Sequence, residues 1–382
     1  MELKRRGKVA AAVAAAAARW AIAALALAGL FGVAPAYAST HHVHPGESIQ
    51  AALDAASPGD TVLVRPGTYH ESLQIDKDGI RLQGNHVRLV EPANPANTLC
   101  NQFGGVTGIC VVGDVNPQTG EVSDYVSRVR IKGFTVEGFS GVSGILGFGS
   151  ELLAVSHDKL VDNGEYGVFA VSSKRPHYVH NRAIDNGAPA LYVGDSPEAD
   201  AVVRHNVSIG NSGEGILLRD AVGGKVSQNR LVGNCAGLLA LADAPGPAGD
   251  FQIDHNVVLR NDKACPGEPE EEEPPISGLG IALLGTFDTR VSHNKVRGNN
   301  PTGASFLSGG IAVTEGVGGT DPQNDQVSHN KSFDNLPSDL FWDGNGTVAF
   351  KKNHCATSDP EGLCRGGGGP QHEHARDRHR SR

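Results

Sequence analysis

The sequence predicts an all-β solenoid: one chain wound into about ten coils of short parallel strands, with a small capping helix at its amino-terminal end. Three observations predict it. A short polar phrase recurs between residues 155 and 353, a second polar residue follows it at a constant distance, and most units then continue with Gly and an apolar triplet. A repeat that tolerates insertions is one solenoid turn with loops that grow outward.

The recurring phrase consists of two apolar or polar residues, a His and an Asn. Its copies end at His157-Asp158, His180-Asn181, His205-Asn206, Gln228-Asn229, His255-Asn256, His293-Asn294 and His329-Asn330, with a partial copy at Lys352-Asn353. Five residues after the Asn or Asp of each complete copy comes a second Asn, at Asn163, Asn186, Asn211, Asn234, Asn261, Asn299 and Asn335. Stacked Asn side chains can hydrogen-bond from coil to coil, which explains a polar residue at a buried turn.

The apolar triplets identify the kind of solenoid. They are rich in β-branched residues and follow Gly, as after Gly215, Gly237, Gly280 and Gly310. Helical repeats would instead show a 3.6-residue period of Ala, Leu, Glu and Lys. Three short strands per unit form a coil whose neighbours lie about 4.8 Å away. Earlier coils continue this pattern, and Gly133 and Gly138 keep the five-residue offset with Gly in the place of Asn.

On these residues the chain resembles the right-handed parallel β-helix family, which includes pectate lyases, polygalacturonases and alginate epimerases. The resemblance covers roughly residues 45–364, and the phrase between Pro58 and Tyr69 is typical of the start of such proteins. It implies the fold and, with less specificity, action on a polysaccharide, because this fold supports several chemistries and some non-enzymes. The polygalacturonase and alginate epimerase catalytic motifs are not present as sets.

The first 38 residues are predicted to be a secretory signal. Basic residues precede an Ala/Leu-rich run, and Ala36-Tyr37-Ala38 is a typical cleavage site. A retained membrane anchor is the alternative. Cleavage would leave 28 Lys and Arg against 41 Asp and Glu, a formal charge of −13. We therefore expect a secreted, extracellular monomer that binds neither nucleic acid nor membrane.

The six cysteines fit export, because disulfides persist in oxidising compartments. Neighbours in sequence or in adjacent coils predict the pairs Cys100–Cys110, Cys235–Cys265 and Cys355–Cys364. Zinc binding is the alternative, but the chain contains no C-x-x-C pair.

One domain is predicted for residues 39–364, with an amino-terminal cap at 45–57 and a disordered basic tail at 365–382. Residues 47–56 have the apolar spacing of a helix that lies across the end of the solenoid, and Thr61 begins the first strand. Insertions interrupt the coils at 94–102, 266–275 and 299–308. The second of these is rich in Glu and Pro and is predicted to be a solvated loop or, alternatively, a calcium-binding one.

The strand after each Gly presents alternate residues outward. In the Gly215 unit, Ile216 and Leu218 point inward, whereas Leu217 and Arg219 point outward. Across the coils the outward positions are mostly apolar, so we expect a loop, a ligand or a partner to cover this face.

A polar cluster interrupts the apolar face. Asp195 and Asp220 occupy equivalent positions in successive coils, Asp243 follows one place later in the next coil, and Tyr192 and Arg219 lie beside them. Carboxylates about 5 Å apart can bind Ca²⁺. The family resemblance implies that Asp195, Asp220 and Asp243 are calcium and substrate ligands, Tyr192 a binding residue and Arg219 the catalytic base. The alternative is a row of turn residues that bind their own backbone.

The histidines predict a second column, interrupted by Gln228. Adjacent imidazoles such as His180 and His205 could bind a transition metal, and a periplasmic copper-accessory protein resembles this family in fold. The alternative is a set of turn histidines. Stacked imidazoles repel one another when protonated, so the sequence also predicts lower stability below about pH 6.5.

These observations lead to one principal hypothesis. The protein binds an extracellular polysaccharide along its flat repeating face, and its enzymatic form would be a lyase or a uronate epimerase. The alternatives are a non-catalytic interaction protein that uses the apolar face and a metal-handling accessory protein.

Overall fold

A computed structural model describes residues 38–243, 246–267 and 274–364. The predicted signal segment and basic tail, and residues 268–273 of the acidic insertion, lie outside the described residues. In the described part the chain forms parallel coils, each of which contributes one short strand to each of three sheets. We call them sheets 1, 2 and 3, in the order in which a coil follows them from its Gly-apolar triplet.

The strands stack in register from coil to coil. Sheet 1 contains Leu73–Ile75, Ile109–Val112, Ser143–Phe148, Tyr166–Val171, Leu191–Ser196, the first half of Glu214–Ser227, Ala236–Leu241, Leu279–Leu284, Gly309–Thr314, Leu340–Trp342 and Ser358–Asp359. Sheet 2 contains Thr40–Val43, Thr61–Val64, the first halves of Arg81–Val90 and Arg130–Glu137, then Ala154–Ser156, His177–Val179, Ala201–Arg204, the second half of Glu214–Ser227, Gly249–Asp254, Arg290–Ser292, Asp325–Ser328 and Val348–Lys351. Sheet 3 contains Gly67–His70, the second halves of Arg81–Val90 and Arg130–Glu137, then Lys159–Val161, Arg182–Ile184, Val207–Ile209, Arg230–Val232, Val257–Leu259, Lys295–Arg297, Lys331–Phe333 and His354–Cys355.

This arrangement confirms the predicted fold class and the expected number of coils. Within the described residues, antiparallel pairing is confined to the small hairpin of Asp114–Val115 with Val122–Asp124 and to an isolated bridge between Cys265 and Ile276. A further short parallel pair joins Val126–Ser127 to Ser150–Glu151. A 3-10 helix, Cys100–Phe103, lies in the first insertion.

The core runs along the inside of the coils, as strand alternation predicts. Ile216 and Leu218 point inward and are essentially inaccessible, and both belong to the central apolar cluster. Leu217 lies on the other face of the same strand, in a separate apolar cluster. The inward residues of successive coils stack on one another, which gives one continuous core.

The recurring His-Asn phrase forms the turn from sheet 2 to sheet 3. The His adopts a left-handed conformation, with φ between 56° and 60° in the six histidines of the column, which turns the chain within two residues and points the ring outward. The Asn that follows points inward and is buried. The predicted coil-to-coil hydrogen bonds are present: Asn206 Nδ2 donates to Asn229 Oδ1 at 3.0 Å, and Asn229 Nδ2 donates to Asn256 Oδ1 at 3.0 Å.

The second Asn of each unit forms a parallel ladder at the turn from sheet 3 to sheet 1. Asn211 Nδ2 donates to Asn234 Oδ1 at 2.8 Å, and the same bond recurs from Asn163 to Asn335. The prediction that Gly133 and Gly138 replace Asn is wrong. Strand register aligns these glycines with His157 and Asp162, so they occupy the left-handed positions.

The two residues that do replace Asn in that coil are aromatic. Phe134 and Phe139 follow the two glycines and are almost completely buried. Their backbone N–H groups donate to Asp158 Oδ1 at 2.8 Å and to Asn163 Oδ1 at 3.3 Å. Each Asn ladder therefore ends against a Phe ring. The five-residue offset between Gly133 and Gly138 marks the two left-handed positions, which lie one residue before the Asn positions.

A helix covers the amino-terminal end of the solenoid, as predicted. It spans Ile49–Ala55, shorter at both ends than the predicted 47–56, because the Ser48 hydroxyl caps it by accepting the Ala51 N–H. Ile49 and Leu53 face the core. No helical segment in the described part of the chain has the length and hydropathy that crossing a membrane requires.

The first strand of sheet 2 precedes the helix, which the sequence did not predict. Thr40–Val43 pairs in parallel with Thr61–Val64, the strand predicted to be first. Only Val43 of the earlier strand is buried, so its alternation is too weak to recognise from sequence. The three predicted disulfides are confirmed, with Cα–Cα distances of 5.8 Å for Cys100–Cys110, 5.9 Å for Cys235–Cys265 and 5.5 Å for Cys355–Cys364.

Candidate functional site

The outer face of sheet 1 is apolar, and loops of the same chain cover much of it. All three predicted insertions fall at the turn from sheet 3 to sheet 1. Ile276 and Leu307 from two of them pack on the cluster that contains Leu217, Leu239 and Leu284. These three leucines are less than a tenth exposed, whereas Phe169, Leu241 and Phe341 on the same face are only partly buried.

Aromatic side chains lie where the cover ends. Tyr166, Phe169 and Tyr192 form a cluster with ring centroids 4.6 to 5.2 Å apart. Tyr192 is buried, whereas Tyr166 and Phe169 are half-buried. The Tyr192 ring lies over Gly194, where a Cβ atom would be 2.1 Å from the Tyr192 hydroxyl oxygen. Gly194 therefore makes room for the ring, and a larger residue there would displace it.

The predicted polar cluster lies at the end of the same strands. Asp195 aligns with Asp220 in the next coil, since the residues on either side of each are paired. Arg219 and Asp243 form an ion pair with the guanidinium 40% and the carboxylate 20% exposed. Asp220 Oδ1 accepts the backbone N–H of Asp243 at 2.7 Å. The structure thus brings Asp195, Arg219, Asp220 and Asp243 together beside Tyr192.

The carboxyl groups of this cluster differ from ordinary surface acids. Burial, together with the charges of Asp243 and Asp195, raises the pKa of Asp220 to about 6. Burial also raises the pKa of Asp195, and that of Tyr192 is raised well above its usual value for the same reason. Asp220 can therefore exchange a proton close to neutral pH.

The arrangement does not fit a calcium ion held by three carboxylates. Arg219 already places a positive charge against Asp243, and Asp220 uses one oxygen for the Asp243 N–H. No group of three His, Cys, Asp or Glu residues with the geometry of a metal site occurs in residues 38–243, 246–267 and 274–364. The calcium site remains a prediction, and forming it would require Asp243 to exchange Arg219 for the ion.

The predicted histidine column is present on the outside of the turns. His180 and His205 stack with centroids 4.7 Å apart and planes within 8°, and the pairs His255–His293 and His293–His329 stack at 5.1 Å within 5°. A metal must lie in the plane of each imidazole that binds it. Stacked planes do not meet, so the two rings of such a stacked pair cannot bind one metal as they stand. The rings of His157 and His180 are instead tilted by 38° at 5.1 Å, and the metal-handling alternative stays a hypothesis.

The stacked rings sharpen the predicted pH dependence. Burial, and then the charges of Lys132 and His180, lower the pKa of His157. A histidine with a lowered folded-state pKa binds fewer protons than in the unfolded chain, so stability decreases as the pH falls through about 6.5. We expect His180→Gln, which introduces the residue already found at Gln228, to reduce the loss in melting temperature between about pH 8 and pH 5. An unchanged loss would show that the column does not repel itself.

Comparison with known protein families identifies the fold of the repeat. Residues 74–258 match the family model of the right-handed beta helix region. The chain has the right-handed parallel β-helix fold. Comparison of this β-helix with curated protein sequences gives no match.

Solved structures with the same fold act on different carbohydrates. The A-module of mannuronan C-5 epimerase AlgE6 from Azotobacter vinelandii is 14% identical, with a TM-score of 0.50 over 81% of this chain and 92% of that one. DFA-IIIase from Arthrobacter chlorophenolicus A6 is 11% identical, with a TM-score of 0.51 over 86% and 96%. The catalytic domain of a GH87 α-1,3-glucanase is 11% identical, with a TM-score of 0.51 over 85% and 66%. At these identities the likeness establishes the fold of the β-helix alone.

Two features of the site were not anticipated from the sequence. Tyr166 and Phe169 support Tyr192, and Arg219 forms an ion pair with Asp243, one of the residues predicted to bind calcium. The first could have been found, because Phe169 and Tyr192 align at outward positions and Gly194 follows two residues later. The second could not, because it depends on the turn that carries Asp243.

Proposed function

We propose that the protein is exported and binds an extracellular polysaccharide on the outer face of sheet 1, beside Tyr192. The observation that supports this is the polar cluster of Arg219, Asp220 and Asp243 next to half-buried aromatic rings. Rings of this kind pack against the apolar face of a sugar, and guanidinium and carboxylate groups bind its hydroxyl and acidic groups. A flat face of stacked strands accommodates an extended polymer across several coils.

The three similar structures support the same class of ligand. Their names describe an epimerase of mannuronan, an enzyme bound to GF2 and a glucanase bound to tetrasaccharides. All three differ in substrate, so the fold by itself selects no sugar. The disulfides agree with an exported protein.

In its enzymatic form, the site would carry out β-elimination or C5 epimerisation of uronate residues. Both reactions begin with removal of the proton at C5, next to the substrate carboxylate. Arg219 would bind that carboxylate in exchange for Asp243, and Asp220, with a pKa of about 6, would accept or return a proton. The role of Arg219 as the base, predicted from sequence, would require the guanidinium to lose its ion pair first.

The test compares Arg219→Met with Arg175→Met. Arg175 also forms an ion pair with a carboxylate, that of Glu151, but lies outside the cluster. We expect Arg219→Met to weaken binding of polygalacturonate or alginate by roughly tenfold to a hundredfold, because a charge-assisted hydrogen bond is lost, and Arg175→Met to bind like the original protein.

Each assay is run with calcium and with a chelator, and the ultraviolet absorbance of unsaturated product and the NMR signal of epimerised residues report catalysis. Equal affinity of the two variants for every polymer would overturn the assignment of the site. Binding without either product would remove the enzymatic half of the proposal and keep the binding half.

A further inference from the structure

The outer face of sheet 3 carries a straight row of cationic side chains. They occupy the position directly after the buried Asn or Asp of the turn and are aligned by strand register: Lys159, Arg182, Arg230, Lys295 and Lys331. We call them the basic row. From Lys159 to Lys331 it crosses six strand steps, which at about 4.8 Å each is roughly 29 Å. Val207 and Val257 occupy the two intervening coils.

The basic row is exposed and has no acidic partners. All five side chains are solvent-exposed, and none forms an ion pair with another described residue. Other cations on the same protein are paired, including Arg88 with Glu137 and Arg297 with Asp334 on this same sheet. Neighbouring like charges repel, so the row is a local excess of positive charge on an acidic chain.

The flanks of the row complete a flat binding face. On one side the exposed histidine column follows the row coil by coil. On the other side, two residues along the first five of these seven strands, lies a half-buried apolar row: Val161, Ile184, Ile209, Val232 and Leu259. On the last two strands the same position holds Arg297, which pairs with Asp334, and the exposed Phe333. The exposed acids that follow these strands, Asp162, Asp185 and Asp334, lie beyond that position, and Asp334 is paired with Arg297. A ligand on this face would meet cations along one edge and aliphatic surface along the other.

The geometry selects a straight polymer over a curved one. An extended anionic polysaccharide places its acidic groups along a line and exposes apolar C–H faces between them, which matches a basic row beside an apolar row. The phosphates of duplex DNA follow a helical path, so a straight row of this length would leave them after a few contacts.

We propose that sheet 3 is a second binding face, separate from the sheet 1 site, which holds a linear carboxylated or sulfated polysaccharide along the solenoid axis through the basic row. The face needs no catalytic group. It would retain the protein on an acidic polymer while sheet 1 remains accessible, and it does not depend on whether sheet 1 is catalytic.

The test uses the full chain carrying Arg219→Met, so that the sheet 1 site is already weakened. In this background Arg182→Glu/Arg230→Glu reverses two charges of the basic row. The matched control Arg65→Glu/Arg290→Glu reverses two exposed, unpaired arginines outside sheet 3. Polygalacturonate and heparin are the carboxylated and sulfated probes, with dextran as a neutral polymer and duplex DNA as a polyanion of another class. Lys295→Gln/Lys331→Gln provides a second pair of substitutions, and melting temperatures show that every variant is folded.

We expect the basic-row variants to bind at least one anionic polysaccharide roughly tenfold or more weakly than the control, with a shallower dependence of affinity on salt, because fewer counterions are released. Which probe binds distinguishes carboxylated from sulfated ligands. Equal affinity of the basic-row and control variants, tighter binding of DNA than of both polysaccharides, or no binding of either polysaccharide at low salt would each overturn the proposal. Loss of the sheet 1 function alone leaves these results unchanged.

Discussion

Replacing Asn256 by Ala is expected to lower the free energy of unfolding by about 3–5 kcal/mol. Asn256 is completely buried in the middle of the first ladder. Its Nδ2 donates to Val226 O at 2.9 Å and to Asn294 Oδ1 at 3.0 Å, and its Oδ1 accepts the N–H and Nδ2 of Asn229. Alanine would remove these four hydrogen bonds and leave the buried Asn229 N–H without its acceptor, whereas Asn294 Oδ1 would still accept the backbone N–H of residue 256.

The measurement is denaturant unfolding of Asn256→Ala beside Gln252→Ala. Gln252 is exposed in the preceding strand of the same coil, so its removal should change stability by less than about 0.5 kcal/mol. If Asn256→Ala lowers the free energy of unfolding equally little, water or a shift of the backbone must satisfy the groups that lost their hydrogen bonds. The ladder would then be a consequence of the coil geometry and not a cause of its stability.

The fold could be predicted because each unit repeats its polar turn residues. A constant offset between two Asn residues requires the strand between them to have constant length, and that fixes both turns and the register of the neighbouring coils. The first strand escaped prediction because Val43 alone is buried there. Gly133 was assigned to the Asn position, one residue too early, because the repeat is altered in this coil. Gly takes the left-handed position that His takes in later coils, and Phe134 takes the place of the Asn.

The candidate site could be predicted only in part. Strand register placed Asp195 opposite Asp220 and Asp243 one residue later, and the structure confirms these positions. The ion pair between Arg219 and Asp243 could not be foreseen, because ion pairing depends on side-chain rotamers rather than on the repeat. Periodicity also gives no information about where an insertion folds, so the cover formed by Ile276 and Leu307 was left open between a loop and a partner.

Asp158 should make stability depend on pH, in the direction opposite to that of the histidine column. It stands at the start of the first ladder, where later coils have Asn, and it is buried. Its Oδ1 accepts the Phe134 N–H, but its Oδ2 has no partner. In the next coil the atom that corresponds to Asp158 Oδ2 is Asn181 Nδ2, which donates to Val155 O at 2.8 Å. Register places Ile131 O in the equivalent position for Asp158, so the site suits a donor and disfavours a charged oxygen.

Burial raises the pKa of Asp158 from 3.8 to about 7. The folded protein therefore retains a proton that the unfolded chain releases near pH 3.8. The contribution of Asp158 is fully favourable below that pH, decreases as the pH rises, and has its full unfavourable effect above about pH 7. A shift of this size corresponds to at most about 4 kcal/mol.

Asp158→Asn is expected to stabilise the protein by roughly 2–4 kcal/mol at about pH 8, because an amide supplies the donor that the ladder position requires and carries no charge. The gain should vanish below about pH 4, where the aspartic acid is protonated in both states. Unfolding free energies of the original protein and the variant across this range provide the measurement, and Asp162→Asn, at an exposed left-handed position in the same coil, is the matched control. A gain that does not change with pH would indicate that hydrogen bonding alone, and not the charge of a buried carboxylate, limits this end of the ladder.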